Sequence, residues 1–147
     1  MKLPIYESDA IDTPSVLALG KLINGTHAAT YGFPTPGDSL SKYYLRYKKK
    51  YGKLPESVWP ALGYDAAYII AEAFKRTGST DGAKIRDAIN KIKNYPGVVG
   101  KTTFGTTLVG FPIRPVTVQL WHFKPGSTKV TRTFVAKIAL KPSEIPT

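Results

Sequence analysis

Cysteine is absent from this chain, and histidine occurs only twice. Without thiols there is no disulfide framework, no thiolate zinc site and no cysteine nucleophile. His27 and His122 fit no Ser/His/Asp constellation and no paired-histidine metal spacing. Each reads as a strand histidine on a sheet face. Gly100-Lys101-Thr102 lacks the glycine spacing that precedes the lysine of a phosphate loop. No enzyme, metal or cofactor is expected from this pattern. No apolar run approaches the roughly 18 residues of a membrane span. Met1 to Glu7 lacks the long apolar core of a signal peptide.

Acidic residues are also scarce: 10 against 21 Lys and Arg, for a formal charge of +11. Such an excess favours nucleic acid or anionic surfaces. Only Lys48-Lys49-Lys50 forms a run, with Tyr43, Tyr44, Tyr47 and Tyr51 interleaved. Those rings could stack bases, which would suit a standalone basic module binding nucleic acid or an acidic partner. An amphipathic helix accounts for the same residues, with Tyr44, Leu45 and Tyr51 inward and the lysines solvated. That second reading is preferred, and no nucleic-acid partner is expected. What the chain does have is 42% apolar residues over 147 positions, enough for one domain with an ordinary core.

Capping and turn signals lay out the elements. Leu3 to Glu7 reads as a strand. Asp12-Thr13-Pro14 opens a helix that runs to about Ile23 and ends at Asn24-Gly25. The same Asn24-Gly25-Thr26 fits a glycosylation sequon, but it sits at a helix end and means little without a secretory context. Thr26 to Tyr31 is a second strand, so the spacing predicts a βαβ unit with parallel strands. Phe33 to Gly37 is a linker. Asp38 or Ser39 caps a helix through Tyr51, stopped by Gly52. Ser57 caps the next, over Trp59 to Thr77, with Pro60 in its first turn. Its inward positions are Leu62, Ala66, Ile69, Ile70 and Ala73, and its polar stripe is Asp65, Tyr68, Glu72 and Arg76. Thr80 or Asp81 opens a third helix, Ala83 to Lys93. Residues 97 to 110 read as loops around one short extended piece. Arg114 to Phe123 and Lys129 to Leu140 read as strands joined by a turn over Lys124 to Thr128. Val116, Val118 and Leu120 alternate with Thr117, Gln119 and Trp121, so one face is the more buried.

Several of these segments carry a family resemblance. Gly63-Tyr64-Asp65-Ala66, the helix ending Lys75-Arg76-Thr77-Gly78, Ile85-Arg86-Asp87-Ala88-Ile89 and Gly97-Val98-Val99-Gly100-Lys101-Thr102-Thr103-Phe104 follow in order. Leu19-Gly20 with Ile23-Asn24-Gly25 precede them, and Val118 to Phe123 with Gly126-Ser127 follow. This set resembles the C-terminal half of a type I periplasmic solute-binding protein, of the leucine/isoleucine/valine-binding type that feeds ABC transporters. The resemblance implies a partial type I periplasmic-binding-protein fold of α/β class: an N-terminal βαβ unit, a helical cluster and a C-terminal β-hairpin. It implies that residues 1–36 and 113–147 belong to a second lobe and 37–112 to a first lobe. It implies extracytoplasmic binding of an amino acid for an ABC permease. The half that supplies most of the first lobe has no counterpart in this sequence. The chain is therefore expected to be a fragment that binds ligand poorly alone and needs that half or a second copy of itself.

The resemblance also points to ligand-binding residues. In the family, the loop after the first strand here presents a carboxylate to the ligand ammonium. Counting back from Gly20 lands on Ser8, so Asp9 or Glu7 would serve after a shift of one residue. A carboxylate at a strand's C-terminal end faces the cleft of an open α/β sheet. The alternative is that Asp9 caps the loop and Glu7 is solvated. Trp59 stands where the family places an aromatic against the ligand side chain, and it could supply an apolar wall or simply staple the helix start. Tyr6 and Tyr31, near the ends of the two strands, are further candidates. Tyr64 and Asp65 read as structural, with Asp65 either bonding across the junction between lobes or lying on the polar stripe.

Overall fold

The computed structural model describes residues 4–105, 111–124, 126 and 130–139. Strand β1 (Tyr6–Glu7) pairs in parallel with β2 (His27–Thr30), Tyr6 opposite His27. A single turn at Asp9–Ile11 and a helical segment over Pro14–Ile23 join them. The expected βαβ connectivity is there, but the connection winds in tight 3-10 turns instead of α-helix. It breaks at Gly20, where φ is 51°. Glycine enters that region without a Cβ clash, so the segment splits into the short pieces that 3-10 geometry favours.

Strand β5 (Val116–Phe123) lies antiparallel on the other side of β2, and β6 (Val130–Ile138) antiparallel to β5. The sheet order is β1-β2-β5-β6. Leu3, Lys129, Leu140 and most of the turn predicted over 124–128 lie outside the described residues. The buried face of β5 carries Thr117, Gln119 and Trp121, while Val116, Val118 and Leu120 are half-buried. The choice of face follows from what packs there. Val16 and Ile23 of the 3-10 segment cover Ala28 and Trp121, with Ile11 and Val130 at the margin.

Between β2 and β5 the chain makes a helical excursion. Helix α1 spans Ser39–Tyr51 and ends at Gly52 in the left-handed conformation. Its cap is Asp38, as the sequence suggests. One carboxylate oxygen accepts the Ser41 N–H at 2.6 Å, and the other accepts the Thr35 N–H at 2.8 Å and the Thr35 hydroxyl at 2.6 Å. The inward line is Leu40, Tyr43 and Tyr44, spaced i, i+3, i+4. Leu45 and Tyr51, expected inward, fall on the flank and are 65% and 56% exposed.

Helix α2 (Trp59–Thr77) buries Ala61, Asp65, Ile69 and Ala73. That line advances four residues at a time, about 40° per step on a helix. Ala66 and Ile70, expected inward, stand one residue off it and are exposed. Asp65 leaves the predicted polar stripe altogether. Its oxygens accept the Val98 N–H at 2.8 Å and the Val99 N–H at 3.2 Å. Those amides form the turn of a hairpin, β3 (Tyr95–Gly97) and β4 (Gly100–Thr102), where loops around one extended piece were expected. A Cβ on Gly97 would collide with this carboxylate, so the close approach requires glycine. Helix α3 (Gly82–Asn90) starts at Asp81, whose side chain accepts the Lys84 N–H at 2.9 Å. Leu40, Tyr43, Tyr44, Val58, Ala61 and Val99 form a second core.

The Asp38 cap makes stability depend on pH. Burial pushes its carboxyl upward, but hydrogen bonds from Thr35 and Ser41 outweigh this and hold it below the ordinary 3.8. A depressed carboxylate contributes stability that is complete above its unfolded pKa and is lost as pH falls through the folded one. Asp38→Ala should therefore cost about 1 kcal/mol at neutral pH. Urea midpoints of the two proteins should converge as pH drops below 3.8; a gap that persists in acid would refute the assignment.

Candidate functional site

Strand directions gather one set of residues at a single edge of the sheet. β1 and β2 run parallel, so Ser8–Asp9 and Tyr31 leave the sheet at the same side. β5 runs the other way, so its start, preceded by Arg114, lies there too: Thr30 sits opposite Thr117. The end of β6 joins them, with Thr117 opposite Lys137. This is the edge where open α/β sheets hold ligands.

At that edge Tyr31 and Trp59 meet edge to face, with centroids 6.1 Å apart and planes at 69°. Trp59 is 41% exposed, so it is no core tryptophan. Its position is set by the start of α2. Val58 occupies the cap position expected of Ser57, yet the Ser57 hydroxyl still accepts the Trp59 N–H at 3.3 Å. The Tyr44 hydroxyl donates to the Ser57 carbonyl at 3.0 Å. Burial pushes that phenol up to about 12, which keeps it a donor at any ordinary pH. Arg114 lies over Tyr31, its guanidinium carbon 5.7 Å from the ring centroid.

The carboxylate candidates separate by position. Glu7 is exposed on β1, in register with Ala28. Ser8, not Asp9, caps the following turn, its hydroxyl accepting the Ala10 N–H at 3.3 Å. Asp9 is half-buried and makes no side-chain hydrogen bond among the described residues. Tyr6 is not brought to Tyr31 and Trp59. It stacks on His27 at 5.1 Å, further back along the sheet, and is 72% exposed.

Asp12, expected in a helix cap, has a different role. Thr13 holds the cap position, and Asp12 is buried. One of its oxygens accepts the Thr30 hydroxyl at 2.8 Å, and the other pairs with Arg132 of β6. The Arg132 guanidinium in turn lies 5.3 Å from the Trp121 ring centroid. This group sits behind the Ser8–Asp9 turn and anchors it to the sheet. Arg132 stands too far along the chain from Asp12 for any local spacing to reveal the pair.

Of the four tyrosines interleaved with the lysine run of α1, Tyr51 is the exposed one, with the Lys50 ammonium 5.3 Å from its ring centroid. Tyr43 and Tyr44 are buried, and Tyr47 packs between Tyr43 and Tyr51 at 6.1 and 4.5 Å. Lys48, Lys49 and Lys50 occupy the last turn, where cations suit the helix dipole.

Comparison with known proteins agrees with this architecture. Residues 2–124 match the family model for periplasmic binding proteins. No match was found among curated proteins. A leucine-binding protein from Thermotoga maritima is 30% identical, with a TM-score of 0.73 over 95% of this chain and 38% of its own. A type 1 periplasmic binding protein from Bordetella pertussis is 27% identical, with a TM-score of 0.70 over 91% of this chain and 40% of its own. A protein assigned to branched-chain amino acid ABC transport in Rhodospirillum rubrum is 28% identical, with a TM-score of 0.63 over 86% and 36%. The chain thus has a partial type I periplasmic-binding-protein fold and spans between 36 and 40% of the length of these three relatives.

Removing the anchor beneath the site should be costly. Asp12→Ala would leave the Arg132 charge and the Thr30 hydroxyl without their partner. A loss of about 3 kcal/mol in unfolding free energy is expected. Denaturant titration measures it, and a loss below about 1 kcal/mol, the range of exposed pairs, would show that the pair does not anchor the turn.

Proposed function

This chain belongs to the periplasmic binding protein family, and we propose that it serves extracytoplasmic capture of an amino acid for uptake through an ABC permease. The observation that carries this reading is the family match over residues 2–124. The relative from Thermotoga maritima, named as leucine-binding, supports an apolar amino acid as the solute. The proposal has no catalytic step: the protein binds, encloses and hands over.

Residues 1–36 and 113–147 form part of the second lobe in this reading, and residues 37–112 part of the first. In support, the four-stranded sheet draws only on residues 6–30 and 116–138, and the three α-helices lie between. Asp9, with Glu7 as the neighbouring alternative, takes the ligand ammonium, and Ser8 holds the turn that presents it. Trp59 and Tyr31 line the apolar side of the cleft. Tyr6 has the weakest claim, because it stacks on His27 away from the aromatic pair.

The first-lobe segment leaves an apolar surface. Ile70 and Phe74 are 54% and 47% exposed, beside Ala67, Ala71 and Ile85. We assign its cover to the rest of the first lobe, or in the isolated chain to a second copy. The same missing cover predicts half a cleft, and so weak binding by the chain alone.

Calorimetry with leucine, isoleucine, valine and glycine tests the proposal. One sample is the 147-residue chain. The other is the chain joined behind the N-terminal part of the Thermotoga maritima relative. The joined protein should bind the three apolar amino acids and the isolated chain only weakly. Asp9→Asn should cost about 2–5 kcal/mol, the range for losing one partner of a buried charge pair. Trp59→Ala should weaken leucine more than glycine. Tight binding by the isolated chain, or indifference to both substitutions, would contradict the site.

A further inference from the structure

Among the described residues, one cleft is lined by cations and by no acid. Lys101 of β4, Arg114 and Lys137 of β6 surround about 360 Å³, with Asn94, Thr103 and Pro115 among the walls. That is within the size range of small-molecule sites. Three chain segments converge to make it. Thr103 and Ile113 exchange backbone hydrogen bonds at 2.9 and 2.8 Å, which lays β4 against the approach to β5. The pairing of Thr117 with Lys137 brings β6 to the same corner.

The charge of Arg114 is not answered from within the described residues. It is half-buried, and burial lowers its pKa, against the opposing influence of Asp65 and Tyr31. Asp65 spends both carboxylate oxygens on the Val98 and Val99 amides. No hydrogen bond or salt bridge from Arg114 occurs among the described residues. Its guanidinium carbon lies 5.7 Å from the Tyr31 ring centroid, and a guanidinium held over a ring can still offer N–H donors to an oxyanion. Arg114 is half-buried, whereas Lys101 and Lys137 stand exposed at the rim, so an anion on Arg114 would meet both ammonium groups.

We propose that this cleft binds a small polycarboxylate, with Arg114 clasping one carboxylate bidentately and Lys101 and Lys137 matching the others. Two features favour this over a compact phosphate. The cations stand on three separate segments, which suits charge spread over an extended anion. Among the described residues no α-helical residue lines the cleft, and a helix N-terminus is the common feature of phosphate sites. Arg114 adjoins Tyr31 of the proposed amino-acid cleft, but leucine carries no group for the two lysines, so citrate and leucine test the two readings separately.

Citrate titrated calorimetrically into the 147-residue chain, at fixed ionic strength, tests it, with acetate, phosphate and leucine in parallel. Citrate should bind more tightly than acetate or phosphate. Arg114→Gln should weaken it by at least about tenfold, the loss typical of a charge-assisted hydrogen-bond pair. Arg114→Lys should retain part of the affinity, and the Lys101→Ala/Lys137→Ala double variant should weaken citrate while leaving acetate unchanged. Circular dichroism checks that each variant folds. If Arg114→Gln does not fold, the lysine double variant decides alone, and unchanged citrate affinity there overturns the proposal. Citrate binding no better than acetate, or phosphate binding tighter than citrate, also overturns it. Leucine affinity of the joined protein is measured separately, so failure here leaves the amino-acid reading standing.

Discussion

The ion pair of Asp12 with Arg132 joins parts of the chain that nothing local connects. Asp12 follows the turn after β1, and Arg132 lies on the last strand. The Thr30 hydroxyl adds β2 to the same carboxylate. A buried carboxylate without partners would carry a desolvation cost of several kcal/mol. The two segments of the sheet are therefore held in one arrangement, since only that arrangement satisfies the charge. The Ser8–Asp9 turn is tied to this pair through the Asp12 N–H, which donates to the Asp9 carbonyl at 3.0 Å.

A second carboxylate does similar work in the helical region. Asp65 ties α2 to the β3–β4 turn through two backbone amides. The start of α2 is fixed in turn by Tyr44 through Ser57. Trp59 is thereby aimed by contacts made on α1 and on the strand turn, not by its own burial. Tyr31 leaves the end of β2 and packs against the helical core, and its ring meets Trp59 at the start of α2.

Elements governed by local chemistry were legible in the sequence. Asp38 and Gly52 bound α1, Asp81 opens α3, and Asn24-Gly25 precedes β2, because caps and turns depend on neighbours a few residues away. Faces were less legible. Leu45 and Ile70 look inward by composition, but a neighbour's position decides which residues of a broad apolar stripe are covered. The 3-10 winding before β2 was also hidden, since Gly20 sits inside an otherwise helical pattern. At the candidate site, Tyr31 and Trp59 were readable as a strand end and a helix start. The cationic cleft was not, because Lys101, Arg114 and Lys137 come together only through the pairing of β4, β5 and β6.

The sheet is assembled across a long gap in sequence: β2 ends at Thr30, and its neighbour β5 begins at Val116. Among the described residues, α1, α2 and α3 form inside the loop that this pairing closes. Their contacts are mostly between nearby segments, whereas the β2–β5 ladder must offset the entropy of closing the whole excursion before it gains anything. High sequence separation slows folding. The helices and their tyrosine-lined core should accordingly assemble early, with the sheet zipping last. Until it does, the edges of β2 and β5 are unpaired and open to strands of other copies.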